Sequence, residues 1–186
     1  MRKPNAKERI LETASQLFHE RGYSEVGINE IIEKAETAKA SFYQHFSSKE
    51  GLCEAWLQNV HDRSEGARSE LLEADCSPVE KIRIYFERME RIMKESNFRG
   101  CPYSNTGAVS GEECGGIRKQ IEDHKQSLRD FFRALCEQQN PGGEENSSVG
   151  DQIFVLFSGA ATEAQNLRDL WPVREACKAA ITLISQ

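Results

Sequence analysis

The chain has 186 residues, with 24 Lys and Arg against 30 Asp and Glu, a formal charge of −6. This length allows one or two modest domains around a real core, and the acidity excludes a protein that holds nucleic acid by net charge alone. No apolar run reaches membrane-spanning length, and the start MRKPNAKERI lacks the apolar core of a secretion signal, so no membrane association and a cytoplasmic location are expected.

Long helical periodicities, only five prolines and no convincing alternating run predict an all-α protein. Six cysteines in a reducing compartment are expected to stay as thiols, with no C-x-x-C pair to hold zinc. None of the four histidines follows a glutamate by three residues, as helical di-iron sites require, so neither metal nor cofactor is expected.

Met1 to Lys3 form a short basic arm, read either as a disordered terminus or as a further phosphate contact. Pro4 to Arg21 is predicted as the first helix, burying Ile10, Leu11, Ala14, Leu17 and Phe18 and stopping at Gly22. Two short helical patterns follow. Ile28, Ile31, Ile32 and Ala35 recur on one face, and Ala38, Phe42 and Phe46 on the next, with only Glu36 and Thr37 between them. Such a pair is the sequence form of either a packed helical hairpin or a helix-turn-helix. The outer face of the second helix carries Lys39, Ser41, Tyr43, Gln44 and His45, side chains suited to phosphate oxygens and groove edges. Residues 1 to 50 hold eight basic and eight acidic side chains, so the whole acid excess lies beyond them. A neutral head with a few directed cations fits specific binding with weak non-specific affinity.

The run from Ile10 to Leu52, ILETASQLFHERGYSEVGINEIIEKAETAKASFYQHFSSKEGL, resembles the DNA-binding domain of the TetR/AcrR family of bacterial transcriptional regulators. The features match in order: a first helix ending LFHERGY, an I-x-x-I-I helix, then K-A-S-F-Y-Q-H-F and S-S-K-E. The resemblance implies a helix-turn-helix head, residues 1 to 48, whose third helix enters the major groove of double-stranded operator DNA. It further implies a helical effector-binding and dimerisation domain over residues 49 to 186. Lys39, Ser41, Tyr43 and His45 fall where such proteins place phosphate and base contacts, with Gln44 beside them, and Lys49 where they place a phosphate-binding lysine. Ser47 and Glu50 have capping-box spacing, which sets Lys49 at an anion-attracting helix N-terminus. The chain departs from the family pattern at Gly27, where Ser or Thr usually caps the second helix, at Glu36, where Gly is common, and at Ala40, another common Gly. If position 36 has positive φ, a glutamate there costs roughly 1 kcal/mol.

Beyond the head, Lys49 to about Glu73 is predicted as a long linking helix carrying Leu52, Trp56, Val60 and Leu71. Ser77-Pro78 opens a helix from Val79 to about Glu95, with Ile82, Phe86, Met89 and Met93 on one face, a stripe that reads as core or, given the resemblance, as cavity wall. In Arg99-Gly100-Cys101-Pro102, proline at the first helical position makes Cys101 the expected N-cap of a short helix from Pro102 to Val109. The helix dipole, aided by Arg99, favours a thiolate at Cys101, so this residue is either a reactive sensor or a structural thiol. Cys114 lies between Glu113 and a glycine-rich turn, where Glu112 and Glu113 disfavour its thiolate. Ile117 to Gln139 is the next helix, with Ile121, Leu128, Phe131, Phe132 and Leu135 apolar, and residues 140 to 148 form a surface loop. Val149 to Leu167 and Val173 to Ile184 close the chain. Read alone they are equally an internal hairpin or half of a four-helix dimer interface, and the resemblance implies the dimer.

The expected protein is a ligand-responsive DNA-binding regulator, a homodimeric repressor released by a small molecule or by reaction at Cys101. Its effector candidates are Trp56, Phe86, Met89, Met93, Cys101, Asn105, Leu128 and Phe154. The rivals are a helical thiol-dependent redox enzyme using Cys101, for which no base is suitably spaced, and a small-molecule carrier without DNA binding, supported only by Gly27 and Glu36.

Overall fold

The computed structural model describes residues 4–111 and 114–186, so the arm Met1 to Lys3 and the pair Glu112 and Glu113 lie outside the described residues. Among the described residues there are nine helices and no strand: α1 (Ala6–Arg21), α2 (Ile28–Lys34), α3 (Lys39–His45), α4 (Lys49–Glu73), α5 (Pro78–Glu95), α6 (Pro102–Gly107), α7 (Gly115–Gln139), α8 (Asn146–Leu167) and α9 (Trp171–Ile184). The chain is thus all-α, and none of the described helices is long and apolar enough to cross a membrane. Two compact units divide it. The first runs to Asp62 and includes Pro102–Asp123, and the second holds Arg63–Cys101 and His124–Gln186.

In the first unit α1 begins two residues later than its periodicity suggests, because Asn5 is the N-cap: its side chain accepts from the Glu8 N–H, and Glu8 accepts from the Asn5 N–H at 2.7 Å. Gly22, at φ 94°, ends the helix in a conformation that only glycine adopts cheaply. Ile10, Ala14, Leu17 and Phe18 are buried, and the Phe18 ring meets those of Tyr23 and Trp56 at 5.7 and 5.3 Å. The Tyr103 hydroxyl from α6 donates to the Leu57 carbonyl at 2.7 Å, which fixes that short helix within the same unit. α6 stops at Gly107 and not at Val109; the Val109 and Ser110 amides turn back onto the Thr106 carbonyl.

The second unit is built on Tyr85, Phe86, Phe131, Phe132 and Phe157, whose rings lie about 5 to 6 Å apart in tilted, stacked and edge contacts. Gly150 permits α8 to approach α7 closely, since a Cβ there would sit 2.7 Å from the Arg133 Cα. Two guanidiniums of α7, Arg129 and Arg133, both grip Asp151 of α8 and hold its carboxyl well below the usual range. The buried Lys81 ammonium donates to the Leu72 carbonyl at 2.6 Å and to Gln138, satisfying an orphan carbonyl at the end of α4. The loop after α7 is shorter than expected. Glu137 accepts from the Gly142 amide and from Asn146, and these bonds let α8 start at Asn146, within the stretch expected as loop.

The turn between α2 and α3 positions the head's exposed helix. Thr37 N–H bonds back to the Ile32 carbonyl and Glu36 N–H to Glu33, the Schellman pattern that usually puts glycine at the left-handed position. Here that position is Glu36, at φ 49°. Arg9 of α1 steadies it, donating from Nε to the Ala35 carbonyl at 3.1 Å and from Nη2 to the Glu36 carbonyl at 3.2 Å. Glu36→Gly relieves the strain while keeping the carbonyls that Arg9 uses, so its melting temperature is expected to rise by about 2–4 °C at matched protein concentration, for roughly 1 kcal/mol. A fall in calorimetry would show that Glu36 makes a compensating interaction.

Candidate nucleic-acid interface and effector region

α3 has two faces set by its aromatic residues. Phe42 is fully buried and Phe46 nearly so, their rings 6.1 Å apart, and with Ala35 and Ile31 they seal the inner side. Lys39, Gln44 and His45 are therefore exposed, Ser41 is half-buried, and Tyr43 stands 47% exposed with its ring edge-on to Phe42 at 5.3 Å. The helix carries no carboxylate. All five expected groups on this helix thus share the outer or flanking surface, a cation, two hydroxyls, an amide and an imidazole on seven residues. Neither α2 nor α3 has a side-chain cap, because Gly27 and Ala38 occupy the N-cap positions. Gly27 was expected from the sequence; Ala38 was not.

Lys49 sits differently from the α3 group. Its ammonium lies 4.5 Å above the centre of the Tyr23 ring and donates to the Ser24 carbonyl at 3.4 Å. Burial lowers its pKa below the ordinary lysine value. The Tyr23 hydroxyl donates to Glu50 at 3.2 Å, and burial, with Glu50 second, pushes that phenol upward. The expected capping box is corrected by one residue. Ser48 Oγ accepts the Gly51 amide at 3.1 Å, so Ser48 and not Ser47 caps α4, and Glu50 is turned to Tyr23. With two adjacent serines, spacing alone selects the wrong one.

Of the effector candidates, Phe86, Met89, Met93 and Leu128 lie together in the buried core of the second unit, with Phe154 packed against it. Trp56 and Asn105 belong to the first unit, Trp56 buried against Phe18 and Asn105 half-buried on α6. Cys101 is half-buried just before α6, and the Lys125 ammonium lies 3.8 Å from its sulfur, a cation twenty-four residues away that no sequence pattern indicated. Burial pushes the Cys53 thiol up to about 12 and that of Cys136 up to about 11. All six cysteines are free.

The family model described as bacterial regulatory proteins, tetR family, matches residues 10–56, the span of α1 to the first turns of α4. The repressor DhaR of Mycobacterium sp. strain GP1 is 28% identical over 85% of this chain and 80% of its own length. An uncharacterised HTH-type regulator from the lacX 3′ region of Lactococcus lactis is 31% identical over 72% of this chain and 67% of its own. The crystal structure of the reduced form of Escherichia coli NemR superposes with a TM-score of 0.82 at 22% identity, covering 96% of this chain and 97% of that one, and the same repressor aligns at 26% identity over 92% and 90% of the two sequences. With an ordered sequence match across the head, a helix-turn-helix whose polar side faces outward, and a shared fold along nearly the whole chain, this protein belongs to the TetR/AcrR family of DNA-binding transcriptional regulators.

Proposed function

We propose that the protein is a homodimeric repressor whose two heads read a pseudo-palindromic operator through α3. The observation that carries this reading is the burial of Phe42 and Phe46, which leaves Lys39, Ser41, Tyr43, Gln44 and His45 together on the outer side of a helix that carries no carboxylate. Lys39 and Tyr43 contact phosphate, Gln44 and His45 reach base edges, and Lys49 binds the backbone from its seat on Tyr23. Residues 1 to 48 supply this DNA-reading head, and residues 49 to 186 supply effector binding and dimerisation. The names of the relatives DhaR and NemR, both repressors, support repression as its sign.

The dimer forms through α8 and α9. Their shared face carries a cleft of about 990 Å³ floored by Val155, Leu156, Ala179 and Leu183, and Val155 is 65% exposed. An apolar face of this kind is matched by its own copy across a two-fold axis. A small molecule, or reaction at Cys101, favours the dimer whose heads no longer fit the operator, which requires tighter binding of the effector to that released state. Phe86, Met89, Met93, Leu128, Phe154 and Cys101, all of the second unit, form the effector region. The Lys125 ammonium beside the Cys101 sulfur supports Cys101 as the reacting thiol.

DNA from upstream of the protein's own gene is expected to bind with a steep salt slope in fluorescence anisotropy. Lys39→Ala should weaken binding about tenfold and lower the slope by about 1, and the pair Lys39→Ala with Tyr43→Ala should abolish specific binding. Unchanged affinity in the pair would remove α3 from the interface. At pH 7, Cys101 should label with maleimide faster than Cys53 or Cys136, whose raised pKa values leave almost no thiolate. Equal rates would rule out reaction at Cys101 as a release route.

A further inference from the structure

The second unit contains a deeply buried guanidinium whose direct hydrogen-bond partners are neutral. Arg68, in the later half of α4, is only 2% exposed. Its Nη1 donates to Ser64 Oγ at 2.7 Å and its Nη2 to Ser127 Oγ of α7 at 2.8 Å. Among the described residues no carboxylate lies within ion-pairing distance of it. Two hydroxyls take up two of the five guanidinium N–H groups and supply no countercharge. Burying a cation in this way is unfavourable, and an ordinary helix avoids it by turning the side chain to water.

Arg68 lines a cleft of about 370 Å³ between α4 and α7, within the usual range of small-ligand sites, roughly 300–1,000 Å³. Ser127 shares its polar end, Leu72 and Phe131 give it an apolar wall, and Glu65 and Asp130 stand at it as exposed carboxylates. A planar fork of donors matches a carboxylate in two parallel hydrogen bonds. The two exposed acids repel a dianion more than a monoanion, so a phosphate is a poor occupant. The apolar wall rewards a hydrocarbon body.

We infer that the cleft over Arg68 is a binding site for a monocarboxylate with an apolar body, of the class of medium-chain aliphatic acids, whose carboxylate neutralises the buried guanidinium. None of the effector-region residues proposed above lines this cleft. It rests on the regulator reading only for its regulatory meaning, since binding is measured without DNA.

Isothermal titration of the whole protein with sodium octanoate, 1-octanol and sodium phosphate tests it. Octanoate is expected to bind tenfold or more tighter than octanol, with phosphate weaker than either. Arg68→Met, an apolar replacement of similar length, should erase the preference for octanoate over octanol. Asp130→Asn, at an exposed position that leaves folding intact, should tighten octanoate two- to fivefold. Equal binding of octanoate and octanol, no octanoate binding, a preference surviving in Arg68→Met, or no gain in Asp130→Asn would each overturn the site. Octanoate binding by a protein that fails to bind its upstream DNA would leave the site standing and remove the regulator reading, and the converse result would do the reverse.

Discussion

The head depends on one constraint: α3 has only seven residues, and two of them, Phe42 and Phe46, must be out of water. A four-residue step places both rings on one side, and the helix has no freedom to rotate without exposing one of them. Everything polar on α3 is consequently turned away from the core. The surface that meets DNA in a regulator of this family is thus fixed by hydrophobic burial behind it, and the polar side chains do not themselves hold the helix in place.

That constraint works only if the turn before α3 is held. The Schellman turn needs a left-handed residue, and this chain supplies glutamate where glycine is easiest. Arg9 bonds the carbonyls on either side of the strain, so a residue of α1 stabilises the geometry of α3 through two backbone acceptors. The same guanidinium that closes the α2 end holds the turn from which α3 leaves. Tyr23 and Ser24 do comparable work for Lys49, the ring giving the ammonium an aromatic seat and the Ser24 carbonyl accepting from it, and so limit the arc it can sweep.

Much of this was legible in the sequence because it is local. The Phe42 and Phe46 spacing gave the face of α3, the two-residue gap after Ala35 implied a tight turn, and Ser77-Pro78 marked the start of α5. What was not legible is non-local. Arg9 acts on carbonyls twenty-six and twenty-seven residues away, and a charged residue on an amphipathic helix ordinarily reads as solvated. The clustering of α6 and the start of α7 with the head depends on contacts such as Tyr103 to Leu57, forty-six residues apart. Lys125 beside Cys101 and the buried Arg68 belong to the same class, since helix rotation decides both and periodicity sees only apolar positions. Ser48 in place of Ser47 is a different kind of miss, a one-residue ambiguity between identical side chains.

The central claim is that two copies of α3, presented by one dimer, enter the major groove on one face of the duplex. Hydroxyl-radical footprinting on the upstream DNA measures this directly. The account predicts two protected patches related by two-fold symmetry, spaced by about one helical turn, 10–10.5 base pairs, or a multiple of it. A single patch, or protection without a helical repeat, would contradict it.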